Sequence, residues 1–250
     1  MNKKFNLKAS DHLDSAEGKR FYNLNHFAES APRYDLATRG LSLGQDGSWK
    51  RALVAGLPVK KGAFCLDVAC GTGDVTQLLA EKYPDGEISG VDLTPEMIKL
   101  AEERNVNPRV RFRCGDMSRL DLPDQSVDIL TGSYAIRNAP DLETVLAEFG
   151  RVMKVDGSVA FLDFSKPGGK WQRTLQYWIL KLWGGFWGLV LHGNPEVHGY
   201  ISSSIRTFPD REELERLFIQ HGFQLERSQP FLSGMMRLYF LRFAPGAAKA

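Results

Sequence analysis

The chain has 250 residues, 43% of them hydrophobic, enough to bury one large α/β core with an appended helical subdomain. Its 32 lysines and arginines nearly balance 30 aspartates and glutamates, so it lacks the charge excess that points to a nucleic-acid partner. Three cysteines, an odd number at spacings unlike those of zinc ligands, argue against a disulfide framework or a metal site and fit a reduced cytoplasmic protein.

Residues 1–20 are polar and predict a mobile end, and the first eight lack the apolar core of a signal peptide. An aromatic helical stretch follows around Phe21 to Phe27; Pro32 then opens Arg33-Tyr34-Asp35, and Trp49-Lys50-Arg51 leads a short helix. Residues 1–60 are thus expected to form a helical cap over the active site of a larger unit, 61–250. In that unit the pattern alternates: strand 63–68, helix 74–83, strand 87–92, helix 95–104, strand 109–114, strand 127–131, helix 141–152 and strand 157–164. Strands separated by helices predict a parallel sheet with helices on both faces. Thr94-Pro95 supplies an N-cap and first helical position, and Asp156-Gly157 a stop for the helix carrying Leu146 and Phe149.

After Pro167 the alternation breaks. Trp171, Leu175, Trp178, Ile179, Leu182 and Phe186 recur at helical spacing and make one broad apolar face between 171 and 191. Arg173, Lys181 and the pair Gly184-Gly185 argue against a spanning helix. The face suits core packing, a wall for a greasy substrate, or contact with a membrane surface. A helical stretch at 197–205, a helix introduced by Phe208-Pro209-Asp210 and apolar runs at 223–227 and 235–243 close the chain. Residues 171–205 read as a helical insertion before the last helix and strands, where substrate pockets are built in open sheets.

The most informative run is Leu66-Asp67-Val68-Ala69-Cys70-Gly71-Thr72-Gly73-Asp74, a strand, a small-residue turn and a helix start. Gly71 and Gly73 let the turn close and a ligand approach the backbone, and N–H groups at the helix start suit polar or anionic groups. Asp92 ends the next apolar run, where a Rossmann-like site grips both ribose hydroxyls. The third glycine of the dinucleotide fingerprint is absent, because Thr76 stands there, so a nucleoside such as S-adenosylmethionine fits better than a dinucleotide.

Together these stretches resemble the ubiquinone/menaquinone biosynthesis C-methyltransferase family, a branch of the class I S-adenosylmethionine-dependent methyltransferases. The resemblance runs from about Phe27 to Gly222. It is carried further by Arg33-Tyr34-Asp35, Ser42-x-Gly44 with Trp49-Lys50-Arg51, Ile136-Arg137-Asn138, Leu162-Asp163-Phe164-Ser165-Lys166-Pro167, and Tyr200-Ile201-x-x-Ser204-Ile205 with Pro209. It implies a Rossmann-like class I fold, a mostly parallel seven-stranded sheet with its last strand antiparallel. The cofactor site it implies contains Thr72 and the glycine turn, Asp92 on the ribose, Asp116 and Met117 around the adenine, and Ser133 after the fourth strand. Asp67 joins that set as the residue orienting the turn. The implied acceptor is a lipid-tailed quinol, with loose contact at the inner face of a membrane; a homodimer or a biosynthetic complex is also compatible. Methylation of another small aromatic or polyketide-like acceptor, at carbon or oxygen, stays open, as does a non-catalytic cofactor-binding subunit.

Arg137 and Asn138 follow the fourth strand, where the methyl acceptor must sit, and are the candidate catalytic pair. The surrounding Tyr134-Ala135-Ile136-Arg137-Asn138-Ala139-Pro140 lacks the Asn/Asp-Pro-Pro-aromatic element of many nitrogen methyltransferases, which leaves oxygen or carbon acceptors. A guanidinium suits a phenolate, whereas its pKa above about 12 makes it a poor base. Asn138 is expected to orient the hydroxyl or a water. Asp163, His192, His198, Tyr134 and bulk water remain candidate bases. Cys70 replaces the usual first glycine of the turn, and the segment 192–199 departs from the family's small and acidic residues.

Overall fold

The computed structural model describes residues 7–246. Seven strands form one sheet in the order β3-β2-β1-β4-β5-β7-β6. These are β1 (Phe64–Val68), β2 (Glu87–Asp92), β3 (Val110–Cys114), β4 (Val127–Ser133), β5 (Met153–Phe164), β6 (Phe223–Phe231) and β7 (Met236–Phe243). The first five pair in parallel, and β7 runs antiparallel between β5 and β6. The chain order reverses between β1 and β4, which places a crevice at their carboxyl ends.

Side chains alternate across the sheet and feed two cores. Val159 and Phe161 of β5, with Tyr239 and Leu241 of β7, pack on α6 (Leu142–Val152) and α9 (Arg211–Gln220). Ala160, Leu162, Leu238 and Phe240 point the other way, onto the face covered by α3 (Asp46–Ala55), α4 (Asp74–Lys82) and α5 (Pro95–Arg104). Both faces are covered, which is why these strands read as near-continuous apolar runs.

Residues 1–6, the extreme end expected to be mobile and most of the stretch expected to lack a signal peptide, lie outside the described residues. In the rest of the polar segment Ala9 is buried and α1 (Ala16–Ser30) begins, capped by Ser15 accepting from the Gly18 amide at 3.0 Å. Three expectations need correction. Asp156-Gly157 does not stop α6, which already ends at Val152; it sits inside a longer β5, where Asp156 takes φ 61° at a register shift against β4. The last-but-one strand runs four residues past 227, carrying Pro230 at a sheet edge, where a missing N–H is tolerated. Thr94 precedes Pro95 as expected, but its side chain caps nothing; its amide donates to Asp92 instead.

The insertion is a pair of helices, α7 (Lys170–His192) and α8 (Glu196–Thr207). Gly184 explains their contact: a Cβ there would lie 2.5 Å from the His198 carbonyl oxygen, so only glycine lets the backbones approach this closely. The helix α2 (Tyr34–Leu41) and α1 complete the N-terminal layer, with Tyr22 of α1 packed on Tyr200 and Ile201 of α8.

Candidate active site

Two cavities meet at the carboxyl edge of the sheet. The first is a narrow cleft lined by Gly71, Asp92, Thr94, Asp116, Met117 and Ser133. The second is an apolar cavity of about 600 Å³ between α2, α7 and α8, within the size range of small-molecule sites. Phe27, Tyr34, Tyr134 and Asn138 line both and form the boundary between them.

The cleft is built by strand ends. Asp92 closes β2, and its two oxygens accept the amides of Gly71 and Thr94, each at 2.9 Å. These bonds tie the glycine turn to the end of the neighbouring strand and leave further lone pairs for a ligand hydroxyl. Burial nevertheless pushes the Asp92 carboxyl up from its ordinary value, against the pull of those two amides. Gly71 holds φ 54°, and a Cβ there would meet nothing nearer than the Tyr34 ring at 3.7 Å, so the turn faces open space. Ser133 ends β4 with its Oγ buried and without a hydrogen-bond partner among the described residues. Asp116 holds Ser118 through Oδ1 and pairs with Arg20 Nε of α1 at 2.7 Å through Oδ2.

Three expected cofactor residues stand apart from this cleft. Asp67 is boxed between the Thr76 hydroxyl at 2.6 Å and the Thr131 hydroxyl at 2.8 Å, and lines only a small space beneath the turn. Thr72 lines that same space, and its hydroxyl donates to Asp35 of α2 at 2.8 Å. Gly73 lines neither; a Cβ there would strike the Phe112 ring at 2.8 Å, so packing accounts for that glycine.

Arg137 and Asn138 occupy a 3-10 turn, Ile136–Asn138, after β4. Arg137 is 2% exposed and reaches the wall of the apolar cavity, its guanidinium between the rings of Phe164 (5.2 Å) and Tyr200 (5.4 Å). It donates to Ser204 Oγ of α8, and its Nε lies 3.6 Å from Asp163 without a hydrogen-bond acceptor. Asp163, at the end of β5, accepts the amides of Arg137 and Phe164 and lies behind the guanidinium, lining neither cavity. Asn138 is spent on the turn itself: Nδ2 donates to the Tyr134 carbonyl at 2.8 Å, and Oδ1 accepts from Tyr200 Oη at 3.3 Å.

Among the candidate bases, His192 also lines neither cavity. His198 lines the apolar one with Nε2 unpartnered; burial and then His192 hold it down at about 4. Tyr134 lines both, and burial first, then Asp46, holds its phenol well above the ordinary range. The sequence assigns no role to Tyr34, Asn23, Arg20, Asp46 or His26. The Arg33-Tyr34-Asp35 element marks Tyr34, and the aromatic stretch Phe21 to Phe27 spans Asn23 and His26; Arg20 and Asp46 reach the site through tertiary packing.

The profile of the "ubiE/COQ5 methyltransferase family" matches residues 17–240. The chain is 34% identical over 203 residues to a demethylmenaquinone methyltransferase of Lactobacillus johnsonii, covering 79% of this chain and 83% of that protein. It is 33% identical over 220 residues to a 2-phytyl-1,4-naphtoquinone methyltransferase of Nostoc, covering 84% and 93%. Among solved structures, a SAM dependent methyltransferase from Aquifex aeolicus shares the fold, with a TM-score of 0.56 at 18% identity over 78% of this chain and 89% of that one.

Proposed function

The chain belongs to the ubiE/COQ5 methyltransferase family, and from that premise we propose that it methylates a ring carbon of a lipid-tailed naphthoquinol in respiratory-quinone synthesis. The observation that carries this reading is the apolar cavity of about 600 Å³ meeting the cleft at Tyr134 and Asn138, with Arg137 in its wall. S-adenosylmethionine, the cofactor, supplies an electrophilic methyl group when bound. The cleft residues suit it: Asp92 for the ribose hydroxyls, the unpartnered Ser133 Oγ for a polar group, and the Met117 thioether against a base.

A quinol carbon becomes nucleophilic when the adjacent hydroxyl loses its proton. A phenol near pKa 10 is ionised in only about one molecule in a thousand at pH 7, and lowering that value by two to three units corresponds to about 3–4 kcal/mol. The buried Arg137 guanidinium, fixed by Ser204 and two rings, stabilises the resulting oxyanion without having to reorganise. Asn138 keeps the turn and Tyr200 in place around it. The N-terminal helices α1 and α2 act as the cap: Phe27 and Tyr34 close the boundary, and Arg20 reaches over to Asp116.

The lipid tail is assigned to the α7 side of the cavity, where Ile179, Leu182, Trp183 and Phe186 line the wall. The same helix exposes Trp171, Trp178 and Leu189, a face suited to the surface of a bilayer. No helix among the described residues is long and apolar enough to cross one. Labelled S-adenosylmethionine with a demethylated menaquinol, held reduced in detergent, tests the reading. The expected product gains one methyl on the ring by mass spectrometry; methyl found on oxygen, or no transfer, counts against it.

A further inference from the structure

Arg137 stabilises an ionised acceptor, but a separate group must take the hydroxyl proton. Tyr134 stands where that proton is released, since it borders both the cleft and the acceptor cavity. Its backbone holds φ 59°, a conformation in which a bulky residue is an outlier that the surroundings must impose. Its hydroxyl donates its one proton to Asp46 Oδ1 at 2.6 Å, which leaves the phenolic lone pairs to accept from an incoming hydroxyl.

Behind Tyr134 lies a cluster with an unbalanced charge. Lys50 Nζ sits 2.7 Å from Asp46 Oδ2 and 2.9 Å from Asp74 Oδ2, so two carboxylates share one ammonium. Asp46 and Lys50 are both buried, and the Asp46 amide is anchored by donating to Ser42 Oγ at 3.1 Å. The further titratable groups that face Tyr134 and this cluster include Tyr34 of α2, Asp67 of β1 and Asp163 of β5. Protonation of Asp46 leaves Lys50 paired with Asp74 and the cluster neutral. Protonation of His198, the other candidate in the cavity wall, creates a new charge in an apolar setting instead. Burial opposes the second change, whereas a proton passed to Asp46 lowers the net charge of a cluster that already holds two carboxylates.

The geometry points to Tyr134 and Asp46 as a proton relay for methyl transfer: the acceptor hydroxyl gives its proton to Tyr134 Oη as the Tyr134 proton moves to Asp46 Oδ1. This assignment rests on the carbon-methylation reading. The acceptor O–H bond breaks, and its electron pair enters the ring and forms the new carbon–methyl bond; sulfur keeps the pair of the bond that breaks there. The methylated carbon then carries one hydrogen too many, and its shift to the ring oxygen restores the phenol. One proton per turnover therefore remains on Asp46 and passes to water once product leaves. The relay needs no tyrosinate in the resting enzyme, which agrees with the upward displacement of the Tyr134 phenol.

Tyr134→Phe removes the conduit and keeps the ring; Asp46→Asn keeps an acceptor for Tyr134 but cannot take its proton. Each is expected to lower kcat on the reduced quinol by about 10²–10³-fold, within the range of general acid–base catalysis, with circular dichroism unchanged. The loss should shrink as pH rises toward the quinol's own ionisation, because a pre-ionised acceptor needs no base. Wild-type kcat in both variants, or a loss equal at every pH, overturns the relay. A second readout needs no turnover: 1-naphthol, whose absorption moves to the red when its hydroxyl donates a hydrogen bond, is added with S-adenosylhomocysteine. A red-shifted band in the wild type that Tyr134→Phe abolishes supports the contact; no band, or the same band in both, overturns it. A wild type inert toward the quinol sinks the substrate assignment and the relay built on it, while the naphthol band still decides whether Tyr134 accepts from a phenolic hydroxyl.

Discussion

Asp67 lies beneath the glycine turn and not in the cleft. It sits in mid-strand with both oxygens occupied by threonine hydroxyls, and burial raises its carboxyl to about 6 despite those two bonds. A carboxyl raised above its unfolded value, about 3.9, binds more protons folded than unfolded between those two pH values. The stability it contributes is fully present below about pH 4 and is lost as pH rises through 6, about 3 kcal/mol in all. Asp67→Asn should therefore gain stability relative to the wild type as pH rises, the change in the gap falling between pH 4 and 6. His198, held down at about 4, works in the opposite sense: the stability it contributes is present above about 6.5 and is lost as pH falls toward 4. Urea unfolding of both proteins across that range cancels the His198 contribution in the difference. A gap that is flat from pH 4 to 7 contradicts the assignment. The buried place of Asp67 within β1 was legible in the sequence, because it lies inside an apolar run. The spending of Thr72 on Asp35, and of Asp116 on Arg20, was not, since each bond joins elements far apart in the chain.

At the scale of elements, the alternation from residue 63 to 164 was legible because buried parallel strands and amphipathic helices leave distinct periods. Departures came where the backbone breaks its period: the φ 61° residue inside β5 and the proline-bearing extension of β6. The apolar face of α7 was legible as a face but not as a division of labour. Leu182 and Phe186 line the apolar cavity while half or more exposed, whereas Trp171 and Leu189 stand clear of it. The pair Gly184-Gly185 signalled an interrupted apolar helix; the structure supplies the reason in the α8 backbone beneath Gly184. Gly184→Ala forces the helices apart, and overpacking of this kind costs about 1–3 kcal/mol. Because α8 carries Tyr200 and Ser204, which hold Asn138 and Arg137, the displacement should reach the acceptor side first. The expected signature is a lower melting temperature and a raised KM for quinol, with S-adenosylmethionine affinity retained. An unchanged melting temperature means the helices are not in the contact described.

For the whole molecule, net charge hides the feature that bears on its surroundings. The chain carries only +2, yet residues 170–192 include Lys170, Arg173 and Lys181 and no acidic residue. These cations flank exposed Trp171 (70%) and Leu182 (69%), so apolar side chains and positive charge share one surface. The cavity is lined by the same helix, and a lipid-tailed acceptor entering there from a bilayer need not expose its tail to water. Each cation near an anionic bilayer contributes about 1 kcal/mol, and with Arg173 paired to Asp210 at 3.5 Å the two lysines predict roughly a thirtyfold preference for anionic over neutral vesicles at low salt. Raised ionic strength should erode that preference, since the Debye length falls from about 10 Å at 0.1 M to 3 Å at 1 M. The triple variant Trp171→Ser, Trp178→Ser, Leu189→Ser removes apolar area without touching charge. It should weaken binding to both vesicle types by a similar factor, whereas Lys170→Ser with Lys181→Ser should weaken only the anionic case. Equal binding of all forms in sedimentation would place the acceptor's route elsewhere and return the exposed face of α7 to a purely structural role. Turnover on vesicle-borne quinol separates the two positions further: a route through α7 ties activity to vesicle binding, whereas a route through water leaves the triple variant as active as the wild type.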